Sequence, residues 1–333
     1  RILCGHNIID HDLHFLEKYS EPGALNGKLF IDTLCLSALL FAEKPYHKLV
    51  KDYKLFSLDA ELNNPVADSR LCRQLLRDEI AQFNGLDDDL KKIYYLLLHD
   101  EKPFAGFFEL LNYRVPEQPL NPLIHSRFEG MICRNAAVEP FIGRENILLA
   151  FALALTATSK PDSILPPWMV KSHPGIYNVV NRLRLFRCND PDCSYCKRHL
   201  DIHNALDRFF GFKSFKKFSE NEKIPIQQEV VRAAMNNESL IAVFPTGGGK
   251  SAAFQLPALI SGEVSRALTV IISPLQSLMK DQVDNLQKRH GITQAVTING
   301  LLSPLERQEA IERVEDGRAS ILYISPESLR SRT

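Results

Sequence analysis

Apolar and polar positions follow three different rhythms along this chain. Over residues 1 to about 85, short strand-like runs ("RILCGH", "KLFIDTL") alternate with stretches whose apolar residues recur at helical spacing ("DHDLHFLEKY", "ADSRLCRQLLRDEIAQF"). From about 86 to 205, "LDDDLKKIYYLLLHD" and "FAGFFELLN" predict helices, while the proline-rich "RVPEQPLNPL" and "SKPDSILPPWMVKSHPG" predict loops. The longest apolar run, "ILLAFALALTA" (Ile147–Ala157), predicts a buried helix rather than a membrane span. From about 206 to 333 the order is strand, glycine loop, helix, strand, helix, strand. "SLIAVF" leads into the glycines, and the bare apolar runs "ALTVIIS" and "ASILYIS" suit parallel strands covered on both faces. The expected fold is therefore α/β, in three parts: 1–85, a helical connector over 86–205, and a parallel-sheet domain over 206–333.

Composition changes this picture little. In 333 residues, 45% hydrophobic and 24% charged content supports globular cores. Lys+Arg and Asp+Glu both total 40, so any basic surface must be local. The start, "RILCGHN", has no basic region followed by an apolar stretch, and it lacks an initiator Met. We expect an intracellular protein whose N-terminal part lies upstream of Arg1. Seven Cys, three of them tightly clustered, favour reduced thiols and a metal site over a disulfide framework.

The candidate chemistry concentrates in "FPTGGGKSAAFQLPAL" (Phe244–Leu259). Gly247, Gly248 and Gly249, after Thr246, allow backbone conformations that aim successive N–H groups at phosphate oxygens. Lys250 supplies a charge for the β- and γ-phosphates, and Ser251 a hydroxyl for Mg²⁺. A helix starting here adds its positive end. The strict phosphate-loop pattern is not met, because Phe244 occupies the first Gly position. The bland alternative is a glycine-rich turn followed by a chance Lys-Ser.

The segment resembles motif I of RecQ-family helicases, which are superfamily 2 DNA helicases. "VIISPLQSLMKDQVDNL" resembles the family's motif Ia, "ILYISPESLRS" its motif Ib, and "FGFKSFKK…IPIQQEVV" its nucleotide-selective motif 0. The resemblance covers about 206–333. It implies a partial RecA-like lobe that binds ATP and Mg²⁺. It also implies that Gln227, 23 residues before Lys250, reads adenine, with Phe212 stacking on the base and Lys216 standing where the family usually has Arg. The gap between Phe215 and Gln227 is longer than in the family. Ser273, Gln276 and Lys280 would hold backbone phosphates of single-stranded or branched DNA; ordinary helix capping is the alternative for Ser273 and Gln276. No D-E-x-H segment follows motif Ib before Thr333, and no second lobe. This stretch by itself is expected to bind ATP weakly and DNA, without hydrolysis or unwinding.

The first 85 residues carry "GHNIIDHDLHFL", "LFIDTLCLSALL" and "NNPVADSRLCRQLL" in that order. Alone, Asp10 and Asp12 are most simply charges favouring a helix start. The order resembles the second and third motifs of DnaQ-like 3′–5′ exonucleases, which have an RNase H-like fold. The resemblance implies that Asp12 and Asp68 are magnesium ligands and that Asp32 is not one. The family's first D-x-E motif is not in this chain. Asn63 and Asn64 stand where the family has its His or Tyr base.

Between these regions, "CNDPDCSYC" sets Cys188, Cys193 and Cys196 in a C-x4-C-x2-C array, with His199 and His203 following. Three thiolates and one imidazole suit tetrahedral zinc, with His203 as the fourth ligand and His199 as its alternative. An iron–sulfur cluster with Cys133 as fourth ligand is the other metal reading, and metal-free thiols the bland one. From Val179 to Phe218 nine Lys/Arg stand against four Asp/Glu, with aromatics interleaved. That suits a single-strand contact surface or, equally, a solvated basic face.

The expectation is a 3′–5′ DNA helicase of RecQ type with an exonuclease-like domain in front, acting in DNA repair, recombination or genome defence. It would be cytoplasmic and nucleoid-associated in a bacterium, nuclear in a eukaryote. The alternatives are a non-catalytic DNA-binding scaffold and an ATPase unrelated to nucleic acid.

Overall fold

The computed structural model describes residues 1–44, 47, 49, 65–158, 167–188 and 190–328. The chain divides into two compact units. The first is built from Arg1–Glu129, Ala137–Thr158 and Leu165–Val179, the second from Gly130–Ala136 and Val180–Thr333. This division differs from the three compositional zones, because it puts the cysteine segment in the same unit as the glycine loop. The seven residues Gly130–Ala136 also belong to the second unit, although the chain on both sides of them belongs to the first.

In the first unit, β1 (Ile2–Gly5) runs into a π-helical turn (Ile8–Asp12) and α1 (Leu13–Tyr19). β2 (Leu29–Asp32) follows, parallel to β1 with Ile2 opposite Leu29, and leads into α2 (Thr33–Leu40). Then come α3 (Pro65–Gly85), α4 (Asp88–Leu98), α5 (Ala105–Leu110), α6 (Leu120–Arg127), α7 (Asn146–Ala157) and α8 (Pro167–Ser172). The run over Ile147–Ala157 is buried as its composition requires, with Leu149, Ala150, Phe151, Ala152 and Leu153 at 0% exposure. No helix among the described residues is long and apolar enough to cross a membrane.

Both proline-rich loops contain a helix that the sequence pattern does not predict. Pro122 lies in the first turn of α6 and Pro167 opens α8. First-turn N–H groups have no intrahelical partner, so proline loses nothing there.

A helix, α9 (Ile176–Arg184), leads into the second unit, followed by a π-helical turn (Cys196–Leu200) and α10 (Ile202–Phe210). The order continues α11 (Ile226–Met235), α12 (Lys250–Ser265), β3 (Thr269–Ile272), α13 (Gln276–His290), β4 (Ala295–Ile298), α14 (Pro304–Glu315) and β5 (Ile321–Ile324). The three strands form a parallel sheet in the order β3-β5-β4, with Thr269 and Ala295 both opposite Ile321. The α/β expectation holds. One strand and helix, β4 and α14, are additional to it; α14 starts with a full capping box between Ser303 and Glu306.

The expected strand before the glycine loop does not form. Residues 239–244 are not hydrogen-bonded into the sheet, and Ile241 and Val243 are 95% and 87% exposed. A strand needs a paired neighbour to satisfy its backbone, and among the described residues none pairs with this stretch.

Candidate functional site

The glycine loop takes its shape from two residues with left-handed backbone, Gly247 (φ 72°) and Gly249 (φ 75°). Gly248 is constrained by space instead: a Cβ there would stand 2.8 Å from the Pro245 carbonyl oxygen. Gly249 directly precedes α12, so the unpaired N–H groups of that helix's first turn open beside the loop. Lys250 is exposed, Ser251 half-buried and Thr246 exposed. Phe244, where a strict phosphate loop has Gly, is buried with its ring 5.6 Å from that of Phe218. It anchors the loop's entry by packing.

Gln227, at the N-terminal end of α11, joins two backbone segments. Its Oε1 accepts from the Lys216 N–H (2.9 Å), and its Nε2 donates to the Gly249 carbonyl (2.9 Å). A Cβ on Gly249 would stand 2.5 Å from that Nε2, so the contact requires glycine. The Lys216 ammonium donates to the Gly247 carbonyl at 2.7 Å. Two sequence-predicted residues, Gln227 and Lys216, therefore converge on the loop. A glutamine amide offers two acceptor sites and two N–H donors; half of each is used here. Phe212 is half-exposed and stacks on Phe210, with ring centroids 6.2 Å apart, rather than on the loop.

At the C-terminal end of β3, the Ser273 N–H donates to the Ile324 carbonyl (3.1 Å) and its hydroxyl accepts from the Leu275 N–H (3.4 Å). Gln276 opens α13 and Lys280 is exposed one turn on. These residues thus occupy one strand end and the first turns of one helix.

Sequence reasoning missed Gln255. Its buried Nε2 donates to Gln282 Oε1 (2.9 Å) and to the Tyr323 hydroxyl (2.8 Å), tying α12, α13 and β5 together. Burial pushes the Tyr323 phenol up to about 12, so it stays neutral. The polar Gln in the otherwise apolar "FQLPAL" was the available signal.

The cysteine cluster differs from the expected ligand set. Cys133, Cys188, Cys193 and Cys196 converge, with all four sulfurs within 4.8 Å of one another. The fourth member of this group is Cys133; neither His199 nor His203 belongs to it. The Asp201 carboxylate accepts from the His203 and Asn204 N–H groups and so caps α10. The exposed His203 ring then lies edge-on to Phe215, with centroids 5.1 Å apart. His199 Nδ1 lies 3.4 Å from Glu263 Oε1, and Arg208 reaches the same carboxylate at 2.8 Å. Against the cost of burial, these two partners hold the Glu263 carboxyl below its usual range. Burial raises the Cys133 thiol to about 11; Cys188, despite burial, is lowered to about 7 by hydrogen bonds from Asp190, Cys133, Asn135 and Cys196. In the basic segment around the cluster, Tyr195 and Phe215 are core residues, and Phe186 is 73% exposed.

In the first unit, Asp12 ends the π-helical turn and pairs with His11 Nδ1 at 2.9 Å. Asp68 lies in the first turn of α3. One turn on, the Cys72 thiol is lowered to about 7, foremost by its hydrogen bond with Cys4, with the charges of Asp32 and Asp12 opposing. Asp12 is thus within electrostatic reach of the helix that carries Asp68. Among the described residues no third donor completes a metal-binding group with these two. Asn63 and Asn64 lie outside the described residues. The Asp32 carboxylate accepts from the Asn7, Ile9 and Leu34 N–H groups at 2.9, 3.1 and 3.0 Å.

Comparison with known proteins points to the same loop. Residues 224–333 match the DEAD/DEAH box helicase family. The chain is 40% identical over 130 residues to the probable ATP-dependent DNA helicase RecS of Bacillus subtilis, covering 39% of this chain and 23% of that protein. It is 39% identical over 126 residues to the ATP-dependent DNA helicase RecQ of Haemophilus influenzae, covering 38% and 18%. The ATP-dependent DNA helicase hus2/rqh1 of Schizosaccharomyces pombe is 34% identical over 145 residues, covering 43% and 10%. The matched stretch therefore spans less than a quarter of the length of these relatives.

Proposed function

The chain belongs, through its C-terminal segment, to the RecQ family of superfamily 2 helicases, and from that premise we propose that its second unit is the ATP-binding part of a motor that moves on single-stranded DNA. The observation that carries this reading is the Gln227 bridge, which ties the Lys216 segment to the glycine loop. Family membership implies ATP and Mg²⁺, and the residues fit both. The two left-handed glycines let the loop's backbone curve around an anion, the exposed Lys250 would meet the terminal phosphates, and the Ser251 hydroxyl would hold the metal ion. The ion would neutralise charge between the outer phosphates.

In the whole protein, ATP hydrolysis would drive 3′–5′ unwinding, with Ser273, Gln276 and Lys280 holding the DNA backbone. Gln255 would keep α12 and α13 in register, so that nucleotide and DNA act on one rigid body. Single-stranded or branched DNA is the proposed substrate, and repair, recombination or genome defence the setting. The 333-residue polypeptide holds the loop without an acidic D-E-x-H segment, so on its own it should bind nucleotide without turnover. For the first unit we propose a DnaQ-like exonuclease-type fold in which Asp12 and Asp68 are two of the carboxylates that hold Mg²⁺.

Titration of this polypeptide with a fluorescent ATP analogue tests the reading. Lys250→Ala should weaken binding about tenfold to a hundredfold, the scale of hydrogen bonds to a charged group. Gln227→Ala should erase a preference for ATP over GTP. Equal affinity for ATP and GTP in the unsubstituted chain, or undiminished binding in Lys250→Ala, would overturn it.

A further inference from the structure

We infer that Cys133, Cys188, Cys193 and Cys196 bind one tetrahedral Zn²⁺, and that this ion is a structural staple of the unit that carries the phosphate loop. The sulfur spacing distinguishes the metal readings. Cys133 to Cys193 is 4.0 Å, Cys188 to Cys196 is 3.6 Å, and Cys133 to Cys196 is 3.6 Å. Four thiolates on one ion with metal–sulfur bonds of about 2.3 Å stand about 3.8 Å from one another, at the corners of a regular tetrahedron. The observed spacings straddle that value. In a four-iron cluster each cysteine binds a different iron, so its sulfurs stand farther apart than ligands of a single ion. The arrangement is thus too tight for the cluster. It is also too open for disulfides, and all seven cysteines are free thiols. Among single ions, four soft thiolates in tetrahedral array select zinc.

The surroundings are those of a built site. Cys133, Cys193 and Cys196 are at most 3% exposed. The Cys133 N–H donates to the Leu183 carbonyl (3.1 Å), which fixes the Gly130–Ala136 segment against α9. The Cys193 N–H donates to the Asp190 carbonyl (3.3 Å), and the Lys197 N–H to the Cys193 carbonyl (3.1 Å), shaping the turn between the last two ligands. The buried Tyr195 hydroxyl donates to the Arg184 carbonyl at 2.9 Å, closing the turn onto the end of α9.

The staple reaches α12 through the residues that follow Cys196. The turn Cys196–Leu200 packs on α12, the helix that the glycine loop opens. His199 from that turn and Arg208 from α10 meet on Glu263 in the last turn of α12. Zn²⁺ would fix the turn, and the Glu263 pairs would pass that constraint to the helix. This inference does not depend on the helicase reading; it rests on the sulfur geometry alone.

The test uses the 333-residue chain purified without added metal. The expected result is a colourless protein holding one zinc and no iron or sulfide. Replacement by Co²⁺ should give the intense thiolate-to-cobalt absorption of a four-sulfur tetrahedral site. Cys133→Ser should lose zinc to a competing chelator at least tenfold more readily, and His203→Ala should retain it as the unsubstituted chain does. Stripping the ion should lower Tm on the order of 10 °C. Iron with sulfide, a three-sulfur cobalt spectrum, zinc loss in His203→Ala, or an unchanged Tm after stripping would each overturn the inference. The cobalt spectrum of the unsubstituted chain decides the ligand set even if Cys133→Ser does not fold.

Discussion

The two units handle buried polarity in opposite ways. In the second, the buried polar side chains among the described residues are neutral: Gln227, Gln228, Gln255, Asn299 and Ser325. Gln227 and Gln255 each bridge two partners. In the first, two carboxylates are buried, Asp32 at 1% and Glu79 at 0% exposure. Three N–H groups hold Asp32, whereas neither oxygen of Glu79 has a hydrogen-bond partner among the described residues. Burial pushes both carboxyls up, Glu79 well above its usual range. A buried amide ties segments together at any pH; a buried acid ties its unit's stability to proton uptake.

Glu79 offers the largest test of this contrast. Its folded-state pKa is raised, so the folded chain keeps a proton that the unfolded chain gives up near the ordinary glutamate value. The stability this contributes is fully present below about pH 4.3 and is lost as pH rises toward the folded value, by about 1.4 kcal/mol per pH unit. Urea unfolding at pH 5 and pH 7 should show the first unit losing stability over that interval, and Glu79→Gln should remove most of the loss. Equal slopes in the two proteins would break the contrast.

Asp32→Ala comes next. It leaves three N–H groups without their acceptor and should cost about 2–3 kcal/mol in the same assay. Asp32→Asn should cost less, because its Oδ1 still accepts from Asn7 and Leu34 while only the Ile9 N–H faces an NH₂ group. Identical losses for the two variants would show that charge, not acceptor geometry, matters there. The smallest effect belongs to the neutral unit. Gln255→Leu removes two hydrogen bonds of one side chain and should cost about 1–2 kcal/mol, with no dependence on pH between 5 and 7. A pH-dependent loss would mean that the second unit hides a titrating group too.

What could be read from the chain depended on distance along it. The glycine loop was legible because Gly247, Gly249, Lys250 and Ser251 act within a few residues of one another, where backbone conformation and helix start are local matters. Gln227 became legible only through its resemblance to a family motif. Cys133 was visible solely as an option for an iron–sulfur site, since it lies 55 positions before Cys188 and no local spacing marks it. His203 was expected as a ligand because it lies near Cys196 in sequence; the Asp201 cap begins a new helix there and sends the ring to Phe215. β4 went unseen because "AVTI" is only four residues long and its apolar positions do not alternate. The stretch 239–244 has a strand's composition without a partner to make it one. The roles of Asp12 and Asp68 stay with the resemblance, since a two-carboxylate arrangement leaves no local signature.

The excursion at Gly130–Ala136 has a practical consequence for anyone dissecting the gene. A coding segment started at residue 180 would look like the natural way to express the second unit, and it would encode Cys188, Cys193 and Cys196 without Cys133. Its product would carry three sulfurs arranged for four, and free thiols that close invite oxidation and intermolecular cross-linking during purification. Aggregation of such a product would then reflect the cloning boundary rather than an inability of the unit to fold.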